Sequence, residues 1–237
     1  MFSILISNGL SQDMLAPDKI SYRSPTVAGA FYPAKPSELR TMIYNYLNED
    51  ISEIIQQDIF AIVVPHAGFV YSGSVAAKAY KQLIGKKYDA IIIIAPSHQK
   101  YFKGASVFKG NAYVTPLGNA LVDKELSKEI TSVNSFVKLS MDGHSWTDSL
   151  SEHSLEVQIP FLQIVQPDVP IVPIVMGTQN HETCDKLMKA IVYSVKKLNK
   201  KVLIVASSDL SHFHSLKDAK KLINRFLKLL HNMIISN

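Results

Sequence analysis

Ala90-Ile-Ile-Ile-Ile-Ala95, running straight into Pro96-Ser97-His98, is the stretch on which the fold turns. A helix at a surface keeps one polar face, and this run has none. Apolarity on both faces is what a strand needs when helices cover a parallel sheet from either side. Two other segments share that character and that sequel. Ile59-Phe-Ala-Ile-Val-Val64 leads into Pro65-His66-Ala67-Gly68, and Val202-Leu-Ile-Val-Ala206 leads into Ser207-Ser208-Asp209-Leu210-Ser211-His212. A fourth run, Ile171-Val-Pro-Ile-Val-Met176, contains Pro173, which has no N–H to donate, and is expected at an edge or a bulge.

Outward from these runs, the apolar spacing changes from continuous to three-to-four. Pro36, Ser37 and Glu38 open a helical pattern through Leu39, Met42, Ile43, Tyr46 and Leu47. Further helical patterns cover residues 74–84, 123–131, 155–165 and 182–198, and another is expected over 216–230. Strands alternating with helices predict the α/β class, a mixed, mostly parallel sheet covered by helices on both faces. Residues 1–24, with Asn8-Gly9, Pro17 and no sustained periodicity, read as a loose leader before a single domain over 25–237.

With 237 residues the chain is long enough for one large core, and 47% hydrophobic with 19% charged residues is ordinary globular composition. The formal charge of +5 is not spread evenly, because residues 196–228 hold nine basic side chains against Asp209 and Asp218. They form no basic stripe regularly interleaved with aromatics, so they read as a solvated Lys-rich helix face, and no nucleic-acid partner is expected. Cys184 is the only cysteine, which excludes an intramolecular disulfide and a multi-cysteine zinc site and fits a reducing, cytoplasmic compartment. No apolar run approaches the ~20 residues of a membrane span, so no membrane partner is expected.

Each of the three strongest strands ends in a turn that presents a histidine. In open α/β sheets ligands bind outside the carboxyl ends of the strands, so His66, His98, Asp209 and His212 are expected to converge on one rim. A lone histidine after a strand is ordinarily a hydrogen-bonded turn residue; three such strand ends argue for a shared site. Imidazole nitrogen with carboxylate oxygen suits iron, zinc, copper or manganese, and spacing alone does not choose among them. In Glu152-His153-Ser154-Leu155-Glu156, Ser154 reads equally well as a helix cap and His153 as a further site residue. His144, His181 and His231 sit in polar or terminal surroundings and read as surface residues, as does His214. The glycines of Pro65-His66-Ala67-Gly68-Phe69-Val70-Tyr71-Ser72-Gly73 fit neither a dinucleotide nor a Walker spacing, and are expected to let backbone pass close to a ligand.

Five segments, Val27-Ala-Gly-Ala-Phe-Tyr-Pro33, Pro65–Gly73, Ala95-Pro-Ser-His98, Glu152-His-Ser-Leu-Glu-Val-Gln158 and Ser207–His212, occur in the order seen in the Memo family. The chain resembles that family, in prokaryotes also called AmmeMemoRadiSam system protein B, over about residues 22–225. The resemblance implies a fold like that of class III extradiol dioxygenases and an iron or copper ion held by His66 and His98. It implies His212, Asp209 and His153 as the residues lining the same pocket, with His212 as acid or base, and oxygen-dependent redox activity on an unknown small molecule. Partners from a radical-SAM system are a further implication, and a homo-oligomer is expected from the apolar surface that the lack of the family's last strand and helix would expose. The family pattern carries a cysteine as third ligand in a later stretch, so the domain is expected to be C-terminally truncated, and Cys184 does not take that role. Two other readings stand beside this one: a phosphate- or phosphopeptide-binding module without catalysis, after the peptide signalling linked to eukaryotic relatives, and an inactive truncated remnant.

Overall fold

In the computed structural model, which describes residues 21–51, 53–144 and 152–235, the three apolar runs become adjacent strands. In chain order the elements are β1 (Tyr22–Arg23), α1 (Pro36–Asn48), β2 (Ala61–Val64), α2 (Phe69–Lys81) and β3 (Ala90–Pro96). Three short strands follow, β4 (Ala105–Phe108), β5 (Ala112–Thr115) and β6 (Gly118–Leu121), then α3 (Lys124–Ser132) and β7 (Val137–Ser140). A single turn of 3-10 helix, Glu156–Gln158, runs into α4 (Ile159–Val165), and β8 (Ile171–Met176), α5 (His181–Leu198), β9 (Val202–Ser207) and α6 (Leu216–Ile235) complete the chain.

The main sheet has the order β2-β9-β3-β8-β4-β7, and every neighbouring pair in it is parallel except β8–β4. It is thus mixed and mostly parallel, as the strand–helix alternation predicts. The pleat of β3 explains its composition. Ile91, Ile93 and Ala95 enter a core shared with Leu39, Ile43, Phe69, Tyr80 and Phe161 of α1, α2 and α4. Ala90 and Ile92 point the other way, into a second core with Leu126, Ile130, Leu187 and Ile191 of α3 and α5. Burying each isoleucine stabilises the fold by about 1.5–3 kcal/mol, so this strand is driven to the sheet centre by both faces at once.

Three expectations need correction. Strand β8 lies inside the sheet, between β3 and β4, and all six of its residues are buried. Pro173 is tolerated there because the ladder to β4 spans only Ile174 to Met176, so the missing N–H falls just outside it. Gly73 serves helix packing rather than a ligand, since a Cβ on it would lie 2.5 Å from the ring of Tyr46 on α1. The packed structure also begins ahead of residue 25, for Tyr22–Arg23 pairs in parallel with Ala112–Tyr113 in a small sheet, β1-β5-β6, that the apolar patterning did not reveal. Residues 1–20 of the expected leader lie outside the described residues.

The basic side chains Lys217, Lys220, Lys221, Arg225 and Lys228 are exposed on α6, as a solvated face requires. Among the described residues, no helix is long and apolar enough to cross a membrane.

Candidate metal centre

Strands β2, β9 and β3 are neighbours and parallel, so their carboxyl ends open on one edge of the sheet. The turns there carry His66 after β2, His98 after β3, and Asp209 and His212 after β9. His153 joins them from the segment leading to the 3-10 turn. Ring centroids are 5.2 Å apart for His66 and His98, 4.9 Å for His98 and His153, 5.8 Å for His66 and His153, and 6.0 Å for His66 and His212. The four residues expected to share a rim therefore lie together, with His153 beside them. The potential ligand atoms of His66, His98 and His212 lie within 4.8 Å of one another, and so do those of His98, Glu152 and His153.

His66 is buried, and its ring Nδ1 lies 2.9 Å from Ser207 Oγ. Among the described residues its Nε2 is also buried and has no hydrogen-bond partner, the nearest carboxylate oxygen being Asp209 Oδ2 at 3.7 Å. An orphaned buried ring nitrogen is costly in an apolar pocket, whereas beside two other imidazoles it is a ligand position. Burial, ahead of the opposing pull of Asp209, holds the His66 imidazole down at about 4, so it is neutral at physiological pH. Asp209 anchors the turn from both sides: Oδ1 accepts the backbone N–H of His66 at 2.6 Å, and Oδ2 pairs with His212 Nε2 at 3.0 Å. His212 itself is half exposed, at the mouth of the cluster. The backbone bends sharply around it, with Leu210 and Phe213 both in the left-handed region at φ 60 and 58.

Glu152 organises the other side. Its Oε1 lies 2.9 Å from His98 Nδ1 and accepts the backbone N–H groups of His153 and Ser154 at 3.0 Å each, while its Oε2 accepts the backbone N–H of His98 at 2.5 Å. Burial opposes ionisation of this carboxyl, but these hydrogen bonds, led by the His98 ring, outweigh it and hold the group at about 2. The same bond raises His98 above its ordinary value. Burial lowers His153, whose ring packs 4.7 Å from that of Phe31. Ser154 does not cap a helix; its hydroxyl donates to the carbonyl of Pro96 at 2.8 Å and so ties this segment to the end of β3.

Behind Glu152 stands a buried network that the sequence reading missed. Arg23 donates from Nη1 to Glu156 Oε2 at 2.6 Å and from Nη2 to the carbonyl of Glu152 at 2.6 Å. Glu156 also accepts from the Tyr32 hydroxyl at 2.6 Å and from the Thr26 and Val27 backbone N–H groups. The Val27–Pro33 and Glu152–Gln158 segments, distant in sequence, are thus clamped together by hydrogen bonds to the Glu156 carboxylate, whose charge Arg23 balances. The spacing of the two glutamates around His153 was the available signal, but it reads equally as acidic residues in a first helical turn.

His144 is not a surface residue. It is fully buried, with Nδ1 bonded to the Tyr113 hydroxyl and Nε2 to the carbonyl of Ser106. His214 is exposed and bonded to Ser211 Oγ, and His181 is exposed at the start of α5; the side chain of His231 lies outside the described residues. Cys184 is exposed on α5 and belongs to neither ligand group.

A family model described as Memo-like protein matches residues 23–234. A MEMO1 family protein of Methanobrevibacter smithii is 38% identical over 221 residues, covering 89% of this chain and 77% of the relative. One from Desulfurococcus amylolyticus is 36% identical, covering 91% and 81%, and one from Methanococcoides burtonii is 37% identical, covering 89% and 76%.

Proposed function

The chain belongs to the Memo-like protein family, and from that premise we propose that it is a metal-binding protein with oxygen-dependent redox activity, its ion held by His66 and His98. We read the sheet as that of the class III extradiol dioxygenases and the ion as iron or copper. The observation that carries the reading is the buried, partnerless Nε2 of His66 beside the rings of His98 and His212. When bound, the ion would supply Lewis-acid polarisation and electron exchange with dioxygen.

The protein's own residues bind, shield and move protons. Asp209 Oδ2 lies 3.0 Å from His212 Nε2 and orients that half-exposed ring at the mouth of the site, where it would serve as the acid or base. His153, pressed between Phe31 and His98, closes one wall against water. Binding of a phosphate group is served less well, because the carboxylates of Asp209 and Glu152 face the same cluster and repel an anion.

Elemental analysis of protein purified without oxygen or chelator tests the reading. Near-stoichiometric iron or copper that disappears in His66→Ala/His98→Ala supports it. Metal content unchanged by the double substitution, or absent from both proteins, overturns it, and phosphate-analogue binding that survives a strong chelator would favour the binding-module reading instead.

A further inference from the structure

We propose that Ser207 and Glu152 are positioning residues that lock His66 and His98 as the tautomers protonated on Nδ1, leaving the Nε2 of each ring bare for an ion. The proposal rests on the metal-binding reading above and adds what decides which nitrogen each ligand offers.

The Ser207 hydroxyl has one hydrogen and two lone pairs, and its three partners leave no freedom in how they are used. The carbonyl of Ser154, 2.6 Å away, only accepts, so the hydroxyl hydrogen goes there. Gln158 Nε2, 2.8 Å away, only donates, so it takes one lone pair. The orientation of that amide is itself fixed, because the same nitrogen faces the Pro65 carbonyl at 2.9 Å while Oε1 accepts from the Tyr80 hydroxyl at 2.8 Å. The remaining lone pair faces His66 Nδ1 at 2.9 Å, and only an N–H on that atom satisfies it. His66 Nε2 then carries the lone pair, in agreement with its lack of a partner among the described residues.

At His98 a carboxylate does the same work. Glu152 Oε1 accepts from two backbone N–H groups and lies 2.9 Å from Nδ1, which must donate to it. A glutamine cannot stand in, because either orientation of its amide would turn an NH2 group toward backbone donors. Hydrogen bonds of this outer kind fix ring orientation as well as tautomer, and their loss typically weakens metal binding about 10–100-fold.

The test is long-range 15N–1H correlation of the histidine rings in metal-free protein at mildly alkaline pH, with Co2+ titration alongside. We expect His66 and His98 to be protonated on Nδ1. Ser207→Ala should move His66 to a tautomer mixture without changing His98, Glu152→Gln should do the reverse, and each should weaken Co2+ binding about 10–100-fold. Ser207→Thr, which keeps the hydroxyl, should restore both readouts. Wild-type rings protonated on Nε2 or on both nitrogens, or tautomers indifferent to the substitutions, overturn the proposal, and the wild-type measurement decides even if a variant fails to fold. Correct tautomers without Co2+ uptake would instead overturn the metal-binding reading alone.

Discussion

His66 and His144 are both buried histidines whose imidazoles burial holds far below the ordinary value, at about 4 and about 3. They differ in what their nitrogens do. His144 spends both, Nε2 donating to the Ser106 carbonyl at 3.0 Å and Nδ1 accepting from Tyr113. His66 spends one and leaves the other facing a cluster of imidazoles. Burial and a displaced titration therefore mark both residues alike, and only the unspent nitrogen separates a site from a scaffold. His144 belongs to the scaffold: its backbone carbonyl accepts from Arg23 Nε at 3.2 Å, and Arg23 in turn fixes Glu152 and Glu156.

On that distinction, substitutions in the network should cost stability, whereas substitutions at the cluster should cost ligand binding. The largest stability effect is expected from Arg23→Met, which leaves the Glu156 carboxylate buried without its cation; urea unfolding should show a loss of about 3–5 kcal/mol. His144→Phe should cost less, about 1–3 kcal/mol, because it strands one hydroxyl and one carbonyl rather than a charge. A cluster substitution with a loss as large as that of Arg23→Met would erase the contrast.

The pH dependence sharpens it further. His144 is neutral in the folded protein down to about 3 but takes a proton near 6.5 when unfolded. Between those values the unfolded state binds more protons, so this residue's contribution is full above pH 6.5 and is lost as pH falls toward 3. Stability of His144→Phe, followed by denaturant titration across that window, should fall less steeply than wild type; an identical slope would show that another group carries the effect. The smallest change is expected from His214→Ala, whose ring is exposed and bonded to Ser211 Oγ: within about 0.5 kcal/mol of wild type in the same assay.

Much of this was legible in the residues themselves. The runs at 59–64, 90–95 and 202–206 read as strands, and the turn after each opens at the same sheet edge, which is why His66, His98, Asp209 and His212 were found together; full cover on both faces fails for the first run, because β2 lies at the sheet edge with Phe60 and Val63 exposed. The small sheet was not legible, because Gly118–Leu121 is mostly exposed and Tyr22–Arg23 is only two residues long, too short for any period. Pro173 misled because a missing N–H matters only where a ladder needs it. His144 looked solvated from its neighbours Asp142 and Gly143, and Arg23 looked like part of a leader; what buries them is contact with residues about 30 to 130 positions away. Long-range polar pairing leaves no periodic trace in sequence, so the supports of the site stayed hidden while the ligand candidates showed.

The most direct test of the central claim is a metal titration of His66→Phe and His144→Phe side by side, using Co2+ and the ligand-field absorption it gains on binding. The account predicts that His144→Phe still takes up the ion at wild-type stoichiometry while His66→Phe does not. Equal loss in both, or equal retention, would mean that the unspent nitrogen is not what distinguishes the site from its scaffold.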